Sequence, residues 1–147
     1  PDPREDLSGM DVARKALILG RLLGYTGELS SHTVESLVPK WGQGISLKEF
    51  ISRLEEMDDR WAQRVDEASA AGAVLRYVAS VSARKIAVGV RAVPLSSPFA
   101  GIKGSDNQLV FTTARYKANP LVITGPGAGA EGTAAGVLND ILRLAGA

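Results

Sequence analysis

The chain has 147 residues, with 17 basic and 16 acidic side chains, a net charge of +1, and 45% hydrophobic against 22% charged residues, the mix of a folded domain. It has no cysteine, no basic stripe or acidic tail, and no apolar run near the roughly 20 residues that a membrane span needs. These features exclude disulfides and thiolate metal sites, offer no signal for nucleic acid or a membrane, and suit a cytoplasmic setting.

The first fifteen residues, PDPREDLSGMDVARK, crowd four carboxylates (Asp2, Glu5, Asp6, Asp11) and three cations (Arg4, Arg14, Lys15) into a segment that turns from loop to helix. The opening at Pro1 reads as the cut edge of something longer. A helix is predicted from Ser8 or Gly9 to about Leu23, with Ser8 and Asp11 as a capping box. Met10, Val12, Ala13, Ala16, Leu17, Ile18, Leu19, Leu22 and Leu23 leave little polar face, so this helix is expected to be buried nearly all round.

Residues 26–44 read as a connector with one extended piece near Val34–Val38. Ser46 and Glu49 form a second capping box ahead of Leu47, Phe50, Ile51 and Leu54, and Asp58–Asp59 restart a helix that runs to Gly72. Beyond it the period becomes extended, with strands predicted at Val74–Val81, Ile86–Val93, Leu109–Thr113 and Leu121–Thr124. The first two are apolar on both faces, which suits a sheet covered by helices on one side and by a second subunit on the other. A glycine-rich turn, Gly125–Gly132, then leads into a helix at Thr133–Leu144.

The turn GPGAGA fits the dinucleotide fingerprint G-x-G-x-x-G/A between a strand and a helix. A self-contained nucleotide site also needs a following strand with an acidic residue about 20 positions on, and only 17 residues follow Ala130. Two readings stay open: a tight structural turn, or a turn that completes a cofactor pocket built mostly elsewhere. The charged cluster is equally double. Asp11 and Lys15 could be an i,i+4 ion pair of a few tenths of a kcal/mol. Alternatively, a lysine beside so apolar a helix could serve as proton donor to an oxyanion. His32 sits in the connector and reads as a surface or locally hydrogen-bonded histidine. Trp41 and Trp61 read as packing.

DPREDLSGMDVARK, together with VLRYV at 74–78, SPFAGIKGSDN at 97–107 and NPLVITGPGAGAEGTAAGVL at 119–138, resembles homoserine dehydrogenase. The resemblance implies reduction of L-aspartate 4-semialdehyde to L-homoserine with NADP or NAD, the cofactor being held mostly by an N-terminal half not contained in these residues. It implies Lys15 as the catalytic lysine, Asp11 and Asp6 as substrate-binding carboxylates, Gly129 and Thr133 at the cofactor, no metal ligand, and a homodimer. The expected fold is α+β. Helices pack on a mainly antiparallel sheet in a catalytic and dimerisation region (1–120), and a strand, turn and helix (121–147) return to a nucleotide-binding domain. Two rivals are a purely structural dimerisation fragment and a non-catalytic amino-acid-binding module.

Overall fold

A computed structural model describes residues 2–146 as two compact units that divide between Pro94 and Leu95. The first opens with a five-residue helix α1 (Pro3–Leu7), and helix α2 (Met10–Leu22) follows after a two-residue break. A short strand β1 (Thr33–Val34) comes next, then α3 (Leu47–Ser52) and α4 (Asp58–Ala70). The unit closes with the long strands β2 (Ala73–Val81) and β3 (Ile86–Pro94). The sheet order is β1-β3-β2, with β2 antiparallel to β3 from Ala73↔Pro94 to Val81↔Ile86 and only the two-residue β1 parallel. The α+β, mainly antiparallel expectation holds.

Alternation along β2 and β3 puts Tyr77, Ala79, Val81, Ile86 and Val88 on one face, and α2 lies across that face through Ala13 and Ala16. Ile86 and Val88 are fully buried, each worth about 1.5–3 kcal/mol by area transfer. Gly20 completes the packed stripe of α2. A Cβ there would stand 2.6 Å from Ile86 Cδ1, so the helix reaches the sheet only because the residue has no side chain.

Two expectations are corrected here. The helix α2 is not buried all round: its small residues Ala13, Ala16 and Gly20 face the sheet, while Ile18 and Leu22 are 64% and 81% exposed. Close helix–sheet approach selects small side chains, so the bulky ones fall on the far side. The Ser8–Asp11 capping box does not form either. Ser8 closes α1 and Gly9 is the N-cap of α2, with no side-chain cap. The Ser8 hydroxyl instead donates to the Glu5 carbonyl (2.6 Å) and accepts from the Met10 N–H (3.2 Å). At α3 the expectation stands, with Ser46 accepting from the Glu49 N–H at 3.2 Å.

The second unit holds β4 (Asp106–Phe111) and β5 (Leu121–Pro126), paired antiparallel from Asp106↔Pro126 to Phe111↔Leu121, and helix α5 (Ala130–Leu144). Their ladder keeps β4 and β5 in one unit. The glycine turn is shorter than expected, because β5 runs through Pro126 and α5 starts at Ala130.

Candidate active site

The Asp-Pro-Arg opening is scaffold. Pro3 occupies the first turn of α1, where its missing N–H costs nothing, and the Asp2 carboxylate caps the helix by accepting from the Arg4 N–H at 2.9 Å. The same carboxylate accepts from Nε and Nη2 of the Arg4 guanidinium, which donates onward to the carbonyls of Gly42 (3.1 Å) and Ile45 (2.8 Å) and lies 5.3 Å over the fully buried Phe50 ring. The hydrogen bond from Arg4 holds the Asp2 carboxyl below its ordinary range. Arg4 thus straps α1 to the turn that precedes α3.

The break between α1 and α2 is an elbow. Gly9 has φ +75° and ψ 4°, a left-handed conformation that costs little only for glycine. The Tyr77 hydroxyl reaches up from β2 into the space that a Gly9 Cβ would take. That hydroxyl donates to the Glu35 carbonyl at 2.7 Å, and burial followed by the Glu35 charge pushes the phenol up from its ordinary pKa. Residues 35–37 form a strut between the sheet and α1. The Glu35 N–H donates to the Val88 carbonyl (2.8 Å), and the Leu37 N–H donates to the Leu7 carbonyl (2.8 Å). The Glu35 carboxylate accepts from the Val90 N–H (2.9 Å) and from Arg64 Nη1 (3.1 Å), with Arg91 Nη1 at 3.9 Å. It lies over Gly89, where a Cβ would stand 2.8 Å from that of Glu35.

On this scaffold the expected site residues all face outward. Asp6 is exposed on α1, across the elbow from Asp11 and Lys15. Lys15 Nζ stands 2.8 Å from Asp11 Oδ2, one helical turn away, with side chains 57% and 59% exposed. Lys15 is therefore not enclosed by the described residues, and an exposed pair of this kind contributes about 0.3–0.5 kcal/mol. Positions 11, 15, 18 and 22 share one helix face, so the pair continues into the exposed apolar stripe of Ile18 and Leu22.

In the second unit, Gly129 is the N-cap of α5 at φ +146° and ψ 147°, a region that is essentially glycine's alone. No atom among the described residues lies within 4 Å of where its Cβ would stand. The Thr133 hydroxyl folds back to donate to the Gly129 carbonyl at 2.9 Å. The turn is seated from below, since the Gly127 N–H donates to the Ser105 carbonyl (3.1 Å) and Asn107 fills the place of a Gly127 Cβ.

The sequence pattern singled out the charged residues and the turn at Gly9 but not what holds them: Glu35, Tyr77 and the strap formed by Arg4. The legible signal was Gly9 between two helical stretches; nothing local marks Tyr77, 68 positions away. His32 is not a surface histidine. Both ring nitrogens are shielded and have no hydrogen-bond partner among the described residues, and the ring tilts against Tyr25 at 5.5 Å. Trp41 packs on Phe50 and under Arg53, and Trp61 packs under Arg64, as expected. Among the described residues no group of acidic or histidine side chains is arranged to hold a metal, and no helix is long and apolar enough to cross a membrane.

Residues 1–142 match the homoserine dehydrogenase family model. The chain belongs to the homoserine dehydrogenase family. It is 51% identical over 148 residues to bifunctional aspartokinase/homoserine dehydrogenase 2 of Zea mays, covering 99% of this chain and 16% of the maize protein. It is 44% identical to the homoserine dehydrogenase of Saccharomyces cerevisiae, covering 99% of this chain and 41% of the yeast protein. Among solved structures, a Candida auris protein of unknown function superposes with a TM-score of 0.90 at 46% identity, covering 98% of this chain and 41% of that one. A putative homoserine dehydrogenase of Archaeoglobus fulgidus gives 0.67 at 29% identity, covering 97% and 38%. The homoserine dehydrogenase segment described here therefore spans well under half the length of these relatives.

Proposed function

We propose that this chain is the substrate-handling portion of a homoserine dehydrogenase, which interconverts L-aspartate 4-semialdehyde and L-homoserine with NADP or NAD. The observation that carries the reading is the Asp11–Lys15 pair, 2.8 Å apart on the uncovered face of α2 and joined by the elbow to a further carboxylate, Asp6. An amino-acid substrate brings its own ammonium group, which carboxylates bind. Asp6 and Asp11 supply two, and their different elements let them approach that group from two directions.

A bound dinucleotide would supply hydride chemistry at the aldehyde carbon, and the charge to be met is then the negative charge on the aldehyde oxygen. Lys15 stabilises that charge and gives up its proton there, and it takes the proton back in the reverse reaction. Asp11, one turn away on the same rigid helix, orients the ammonium of Lys15. The open face around the pair, apolar beyond Lys15 at Ile18 and Leu22, suits a site that is closed over and dried by a nucleotide-binding domain.

The turn before α5 suits a dinucleotide. At Gly129 the backbone can be approached closely, and the helix has no side-chain cap, so its first N–H groups are available as donors. Glu131 adds a negative charge to that first turn, which favours a ribose hydroxyl or an amide over a phosphate as the contact. Thr133 holds the turn through its bond to the Gly129 carbonyl. Exposed Val137, Leu138 and Ile141 on α5 match an element that docks on a nucleotide-binding domain, as does the strand Leu121–Pro126. The apolar residues Val74 and Val78 on the other face of β2 support a homodimer, checked by a dimeric mass in light scattering; a monomer at micromolar concentration would overturn it.

The test is semialdehyde reduction by the full-length dehydrogenase that carries this segment, followed as NADPH absorbance. Lys15→Ala is expected to lower kcat about 100-fold or more, the usual scale for a general acid, while the 147 residues alone do not turn over. An unchanged rate would reduce Asp11–Lys15 to a surface ion pair, and turnover by the isolated chain would show that no other part is needed.

A further inference from the structure

Asp11 and Lys15 ride on one helix, which fixes the spacing of their backbones one turn apart. Asp6 rides on another, and its placement relative to Lys15 depends wholly on the angle at Ser8–Gly9. Three features set that angle, and two of them meet at one side chain. The strut at residues 35–37 hangs α1 from β3 through the Leu37–Leu7 and Glu35–Val88 hydrogen bonds. The left-handed Gly9 turns the chain. Tyr77 touches both: its hydroxyl occupies the space beneath Gly9 and donates to the carbonyl of Glu35. It comes from the middle of β2, which pairs with β3 along its whole length from Ala73 to Val81, and is therefore a stiff support.

We propose that Tyr77 is a positioning residue for the substrate site: its phenol wedges the α1–α2 elbow and thereby holds Asp6 in register with Asp11 and Lys15. The proposal rests on the reading that these three residues handle the amino acid. Removing the oxygen leaves a gap under Gly9 and an unpaired Glu35 carbonyl. The elbow then samples a range of angles, and the carboxylate across it no longer meets the substrate ammonium in one place. Displacements of about 1 Å at a substrate-holding group are costly even when the reacting groups themselves are intact.

Tyr77→Phe keeps the ring and its volume and deletes only the oxygen. In the full-length dehydrogenase, assayed in the direction of homoserine oxidation, it is expected to raise the KM for homoserine about fivefold or more and to leave the KM for the dinucleotide unchanged. A purely structural role predicts another pattern. Loss of folded enzyme lowers apparent kcat through the active fraction and moves neither KM. A homoserine KM within twofold of wild type, whatever happens to kcat, overturns the positioning role. Asp6→Asn and Lys15→Ala, measured alongside, separate this from a failure of the underlying site. If both leave the kinetics intact, the substrate reading falls and the positioning role falls with it. If both act and Tyr77→Phe does not, only the positioning role is wrong.

Discussion

Two of the three helices that carry proposed site residues begin at a glycine with positive φ and no side-chain cap: Gly9 before α2 and Gly129 before α5. They use that glycine differently. At Gly9 the missing Cβ makes room for another part of the protein, the Tyr77 hydroxyl, which locks the elbow from below. At Gly129 the missing Cβ makes room for no atom of the described residues, and the turn is held from its flanks by Thr133, Ser105 and Asn107. The first arrangement aims side chains; the second presents backbone. That contrast matches what each site is proposed to do, since Lys15, Asp11 and Asp6 act through side-chain charge, whereas the turn before α5 offers N–H groups.

Two substitutions break the comparison at its ends. Gly9→Ala is expected to be the more costly, because it adds a left-handed alanine (about 1–2 kcal/mol) to overpacking against Tyr77 (about 1–3 kcal/mol). Urea denaturation should show a loss within the sum of those ranges, and pairing it with Tyr77→Phe should recover only the overpacking part. A Gly9→Ala variant as stable as wild type would mean that the elbow does not need glycine. Gly129→Ala is expected to cost less, about 1–3 kcal/mol from backbone strain alone, with no clash to relieve. Its sharper effect should be on the cofactor, as a raised dinucleotide KM with the homoserine KM unchanged. An equal rise in both would mean that the turn serves the whole site rather than the dinucleotide.

Much of this arrangement was legible in the chain itself. The helices beginning at Met10, Leu47 and Asp58 carry local start signals, and the strands Ala73–Val81 and Ile86–Pro94 carry β-branched alternation, so their positions follow within a residue or two. The charged cluster marked Asp6, Asp11 and Lys15 because ionisable groups are dense there against an otherwise apolar helix. The capping of α2 was misread because Ser8 lies at the end of one helix and one residue before the cap of the next, and local pattern cannot tell the two roles apart. The burial of α2 was misread because hydrophobicity does not say which face wins. The sheet took the stripe of Ala13, Ala16 and Gly20, the side that permits the closest approach, and left Ile18 and Leu22 outside.

The sequence by itself determined the family, the order of helices and strands, and the residue types that could do the chemistry, since these rest on composition, period and short motifs. Tertiary structure alone decided how the three charged residues are held. Tyr77, Glu35 and Arg4 act over separations of 38 to 68 positions, through hydrogen bonds to backbone carbonyls and one occupied glycine space. No local pattern encodes such contacts, because a carbonyl looks the same in every residue and only the folded chain says which side chain will reach it.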